Sequence, residues 1–142
     1  MADVLTREQR HKNMQNIRSE ETKIEIAVRR YLFSCGFRFR KNDKRYPGTP
    51  DIVLPKYKVV VFINGCFWHG HKGCKYFVIP KTNTDFWVEK IGKTVQRDRN
   101  AIIALEDNGW RVLTLWQCQL SPASFQDTMR NTVNEIKGFA NE

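Results

Sequence analysis

Lys58-Val59-Val60-Val61-Phe62-Ile63 is a near-continuous apolar run bounded by turn residues, Pro55-Lys56-Tyr57 before it and Asn64-Gly65 after it. A strand that is apolar on both faces marks a central place in a sheet covered by helices on either side. Asp51-Ile52-Val53-Leu54 comes just before, delivered by the turn Pro47-Gly48-Thr49-Pro50, and the short spacing between the two runs predicts a hairpin. Trp110 to Trp116 (WRVLTLW) reads as another buried strand.

Helical patterns surround these strands. Ser19, with Glu20 and Glu21 in a first turn, opens a helix whose Ile24, Ala27, Val28, Tyr31 and Leu32 form one apolar stripe, and Cys35-Gly36 ends it. Thr84 or Asp85 begins a second helix through Leu105, with a break expected at Gly92 and a stop at Asn108-Gly109. Ser121-Pro122 caps a last helix with Phe125, Met129, Val133 and Ile136 on one face. Phe37 to Arg40 alternates like a half-buried strand, and Thr6 to Gln9 has capping-box spacing at the start of a short basic helix. The order predicts an α/β fold, a mixed sheet flanked by helices. It is expected to form a single domain over 1–142, with 1–18 a basic N-terminal arm and 19–142 the core.

With 24 Lys+Arg against 15 Asp+Glu the chain carries a formal net charge of +9, which makes nucleic acid the first partner to consider. The segment from Arg38 to Arg45 holds five basic residues and one acidic one, a candidate phosphate-contacting rim. The N-terminus has no signal-peptide core and no stretch approaches the ~20 apolar residues of a membrane span, so a cytoplasmic protein is expected. In a reducing compartment Cys35, Cys66, Cys74 and Cys118 point to metal binding or buried thiols ahead of disulfides.

Chemistry concentrates after Asn64-Gly65, in a loop with no periodic pattern. Cys66, His69, His71 and Cys74 fall within nine residues, and Cys118 follows the Trp110–Trp116 strand. Thiolate and imidazole are zinc's preferred ligands, so three cysteines and one histidine would close a structural site and leave the other histidine for chemistry. Cys35, on an amphipathic helix, reads as a core or boundary residue. Asp51 at a strand start beside a second strand's end is where many nucleases seat Mg2+, although such an aspartate alone more often caps a turn. Asp98 falls on the apolar stripe of Ile91, Val95, Ile102 and Leu105 and therefore needs a cation, a histidine or a metal-ordered water as partner. Glu25 could reach the same site.

Pro47-Gly48-Thr49-Pro50-Asp51, Phe62-Ile63-Asn64-Gly65-Cys66-Phe67-Trp68-His69-Gly70-His71, Phe86 to Lys93, Val95-Gln96-Arg97-Asp98 and Gly109 to Cys118 together resemble the very-short-patch repair (Vsr) endonucleases. The resemblance implies a restriction-endonuclease-like fold with a structural zinc site, and Mg2+-dependent nicking of double-stranded DNA 5′ to the thymine of a T:G mismatch left by deamination of 5-methylcytosine; separately, a monomer is expected. Carried over by position, Asp51 and the main-chain carbonyl of Ile63 would ligate Mg2+. His69 would be the general base, and Asp98 and Glu25 would order waters at the metal. Zn2+ would fall to Cys66, His71, Cys74 and Cys118. Phe67, Trp68 and Trp87 would wedge the base stack beside the mismatch, with Met14 approaching from the opposite groove. Asn64 stands where the family pattern has histidine, so an amide would have to orient the phosphate or water there. Gly73 reads as a one-residue insertion between His71 and Cys74. The competing expectations are a non-catalytic, zinc-stabilised DNA-binding module and a restriction or nicking endonuclease of the same fold.

Overall fold

A computed structural model describes residues 22–75 and 77–140. The expected basic arm, Met14 and the Ser19 helix start lie outside the described residues.

Among the described residues the sheet has four strands in the order β1-β2-β3-β4: β1 (Arg40–Lys41), β2 (Ile52–Leu54), β3 (Val59–Asn64) and β4 (Arg111–Trp116). The first two pairings are antiparallel and β3 runs parallel to β4, so the sheet is mixed. The predicted hairpin joins β2 to β3 through a tight reversal in which Tyr57 N–H donates to Leu54 O and Lys58 adopts φ 57°.

Alternation along β2 and β3 divides the core between the two faces of the sheet. Ile52, Leu54, Val59, Val61 and Ile63 point to one face, where they meet Val28 and Leu32 of α1 (22–34) and Met129, Val133 and Ile136 of α3 (Phe125–Ala140). Val53 and Val60 point to the other, against Leu105 of α2 (Thr84–Asp107), with Phe62, Val112 and Trp110 packed around them. Burying each aliphatic side chain contributes roughly 1.5–3 kcal/mol, so the two apolar faces of β3 fix it at the centre. The result is an α/β sandwich with helices on both faces of a mixed sheet. Among the described residues no helix is long and apolar enough to cross a membrane.

The structure corrects four local expectations. The strand read at Phe37–Arg40 shortens and shifts to Arg40–Lys41, because Phe37 belongs to the end of α1: its N–H donates to Leu32 O across Gly36, which takes φ 92°. The break expected at Gly92 is absent and α2 runs unbroken for 24 residues. A helical glycine costs only about 1 kcal/mol, which a long packed helix absorbs. β4 is half-buried, with only Leu115 fully covered, because it forms an edge of the described sheet with β3 as its single neighbour. Finally, Ser121 accepts from Phe125 N–H through its main-chain oxygen, and α3 opens at Phe125 instead of beside Pro122.

Candidate functional site

The parallel pairing of β3 with β4 decides where the site forms, because ligands of such sheets gather beyond the carboxyl ends of the strands. Register pairs Asn64 with Trp116, so Cys66 and Cys118, each two residues further on, emerge side by side. Cys118 N–H points at Cys66 Sγ at 3.4 Å, and Gln117 Oε1 accepts from Cys66 N–H at 3.4 Å. The 65–71 segment then coils on itself, with His69 N–H donating to Gly65 O and His71 N–H to Cys66 O. This brings Cys74 and His71 to the two strand-end cysteines.

The ligand atoms of Cys66, His71, Cys74 and Cys118 lie within 4.8 Å of one another and could hold a metal ion. His71 Nδ1 is 3.5 Å from Cys118 Sγ, and its ring is stacked on Trp116 at 4.0 Å and 5°, which fixes the direction of the nitrogen. Burial pushes the Cys66 thiol up to about 12 and also raises that of Cys118, where Cys74 adds to the rise and the hydrogen bond with Cys66 opposes it. Crowded thiols of this kind suit a soft or borderline cation that would hold them as thiolates. Cys35 is exposed and stands apart from the cluster.

The second constellation is acidic. Asp51 precedes β2, and its Oδ2 accepts a 2.6 Å hydrogen bond from the N–H of Ile63 on β3. Burial pushes the Asp51 carboxyl up to about 6; the Ile63 N–H opposes this and the charge of Glu25 adds to it. Burial also raises Glu25, which α1 brings close enough to act on Asp51, while the Arg29 guanidinium 3.9 Å away pulls it down. His69 lies close enough for its charge to act on Asp51. Its Nδ1 is 2.6 Å from Asp98 Oδ2, so the carboxyl that the α2 stripe turned inward meets a histidine. His69, Asp98 and the buried Asn64 line one cavity of about 540 Å3 with Thr114 and Trp116.

The hinge between the two constellations is Gly70. It adopts φ 62°, and a Cβ there would stand 2.9 Å from Ile91 Cγ2 and 3.0 Å from Val95 Cγ2. Gly70→Ala should therefore lower folding stability by about 2 kcal/mol, read as a shift in the urea midpoint at unchanged slope. A midpoint equal to wild type would show that α2 does not press on this turn.

Phe67 and Trp68, which precede His69 in the chain, form one edge-on cluster with Trp87 and Phe86. Phe67 contacts Trp68 at 5.1 Å and Trp87 at 5.5 Å, and Phe86, exposed on α2, contacts Trp87 at 5.2 Å. Lys90 Nζ lies 5.8 Å from the Trp68 ring and 5.9 Å from that of Trp87. Sequence reasoning passed over Arg29, Gln117 and the stacking role of Trp116. Only Arg29 left a usable signal, its position four residues after Glu25 on one helix face.

A mixed α/β sheet bearing this carboxylate group, an Asp-paired histidine and a Cys/His cluster is the chassis of a DNA endonuclease, and the comparisons with known proteins agree on that class. Residues 2–75 match the family model described as DNA mismatch endonuclease Vsr. The chain belongs to that family. It is 51% identical over 138 residues to the type II nicking enzyme V.NmeAIP of Neisseria meningitidis serogroup A, covering 96% of this chain and 98% of the relative. It is 48% identical over 120 residues to DNA mismatch endonuclease Vsr of Escherichia coli K12, covering 84% of this chain and 76% of that one. The type II nicking enzyme V.XorIIP of Xanthomonas oryzae pv. oryzae is 45% identical over 135 residues, with 94% and 98% covered.

Proposed function

We propose that this endonuclease nicks one strand of duplex DNA on the 5′ side of the thymine in a T:G mismatch, with Mg2+ at Asp51 and zinc as a structural ion. The observation that carries the reading is the meeting of the Glu25–Asp51 carboxyl pair with the His69–Asp98 pair at the ends of β2 and β3.

The donor set fits a hard divalent cation. Two carboxyls are held where their charges oppose each other, and Asp51 together with the Ile63 carbonyl offers oxygen only. Bound there, Mg2+ would supply charge neutralisation at the scissile phosphate and acidify the attacking water. The protein's own residues do the rest. A carboxylate only accepts hydrogen bonds, so pairing with Asp98 assigns the hydrogen of a neutral His69 to Nδ1 and leaves the lone pair on Nε2. That nitrogen takes the proton from the attacking water. Asp98 holds the ring's orientation and steadies its charge once protonated, Glu25 orders water on the other side of Asp51, and the Asn64 amide orients water or phosphate in the shared cavity. Cys66, His71, Cys74 and Cys118 would hold zinc, tying the ends of β3 and β4 to the 65–74 loop that carries His69.

Phe67, Trp68 and Trp87 serve as the wedge, with Met14 from the arm opposite. Unstacking a base step costs a few kcal/mol, and least at a mismatch, so insertion itself selects the substrate. Trp87→Ala and Trp68→Ala should each erode the ratio of T:G to T:A nicking rates by about tenfold or more, while duplex affinity in the absence of metal falls less. Rates on strand-labelled duplexes check this, and an unchanged ratio in both variants would remove the wedge from the account.

A further inference from the structure

Arg29 has a feature that the proposed chemistry does not use. Its Nη1 is buried, and among the described residues it is the one buried side-chain polar atom without a hydrogen-bond partner. Glu25 at 3.9 Å is too far to accept a hydrogen bond from it, yet the guanidinium lowers both Glu25 and Asp51, so it stands at the edge of the catalytic carboxyls. A buried donor without a partner costs about 1–3 kcal/mol, which makes its retention informative.

The same side chain lines an open groove of about 510 Å3 between α1 and β1. Arg30, Arg38 and Lys41 line it too, together with Phe33 and Phe39, and among the described residues no carboxylate does. Arg38 is held in place: its guanidinium lies 4.1 Å over the Phe33 ring, and its Nη1 donates to Phe37 O. β1 ties the groove to the site, because Lys41 pairs with Ile52 and Asn42 N–H donates to Asp51 O at 3.1 Å. Across the sheet the order is therefore groove, Asp51, then Ile63 on β3, with His69 beyond.

We propose that this groove is a phosphodiester subsite for a DNA strand, in which the Arg29 and Arg38 guanidiniums grip a phosphate adjacent to the one being cut. This rests on the chain being a DNA-nicking enzyme. It adds a phosphate-binding site on the β1 side, opposite the zinc and aromatic elements. Arg29 then joins binding to chemistry: a phosphate that accepts from its groove-facing side draws the guanidinium's charge away from Glu25 and Asp51 and leaves them to the cation.

The test is a chemical double-mutant cycle on the full-length, zinc-loaded protein. Duplexes carrying one neutral methylphosphonate at each position in turn are bound without Mg2+ to wild type, Arg29→Lys, Arg29→Ala and Arg38→Ala. In wild type one position should lower affinity about tenfold, and in Arg29→Ala and Arg38→Ala the same replacement should be nearly silent. Each alanine variant should also flatten the salt dependence by about 0.9 in log–log slope, while Lys137→Ala on α3 leaves the phosphate position as sensitive as in wild type. Arg29→Lys should retain part of the coupling, and Arg38→Ala tests the groove even if Arg29→Ala folds poorly. Inorganic phosphate at matched ionic strength should displace DNA no better than chloride; stronger displacement would make this a free-anion site and overturn the strand assignment. Methylphosphonate effects identical in wild type and variants, from an enzyme that still binds and nicks, would overturn the proposal alone. A protein that neither binds nor nicks any duplex would instead overturn the functional reading beneath it.

Discussion

Asp51→Asn should lower the nicking rate by on the order of 10³-fold while changing duplex affinity by no more than about threefold. The asparagine keeps the shape and can still accept from Ile63 N–H, but it removes the charge that would hold the cation. Folding should not explain the loss, because the wild-type carboxyl is itself disfavoured by burial and by the charge of Glu25, and the neutral amide relieves both. Metal-free Asp51→Asn is therefore expected to melt no earlier than metal-free wild type. His69→Ala should fall by about 10²–10⁴-fold, the range of a lost general base. Single-turnover nicking with binding measured separately separates these outcomes. Wild-type cutting by either variant would refute the catalytic assignment.

The second large effect concerns the Cys/His cluster. A structural zinc contributes on the order of 10 kcal/mol to folding, comparable to the whole net stability of a domain. Cys118→Ser should therefore leave little folded protein, and chelation of the wild type should produce an early, broad melt. Cys35→Ser, at an exposed cysteine outside the cluster, should melt as wild type does. Metal analysis should return about one equivalent of zinc per chain. A zinc-free protein with an unchanged melting temperature would refute the structural role of the metal.

How much of this was legible in the sequence follows from which physical signals are local. The two apolar faces of Val59 to Ile63 announced a central strand, and the α2 stripe announced that Asp98 turns inward. Both are periodicity signals, and both survive folding because burial creates them. The limits of β1 were not legible, since Phe37 spends its N–H on the end of α1, a choice made by helix capping and not by alternation. The half-exposure of β4 was hidden for a related reason: an apolar strand does not reveal how many neighbours it has. In the site, residue types and their spacing named the Cys/His cluster but left open which histidine joins it. The turn at Gly70 separates them, sending His71 to the cysteines and His69 to Asp98. Arg29 was hardest to see, because its unusual feature is an unpartnered atom, which exists only once the neighbouring chain is in place.

The most direct test of the central claim is a duplex labelled separately on each strand, carrying one T:G pair, incubated beside its T:A control with Mg2+ and with chelator. The reading predicts a single nick immediately 5′ to the mismatched thymine, on that strand only, and only with both metal and mismatch present. Equal cutting of the T:A duplex, or cutting that persists in chelator, would contradict it.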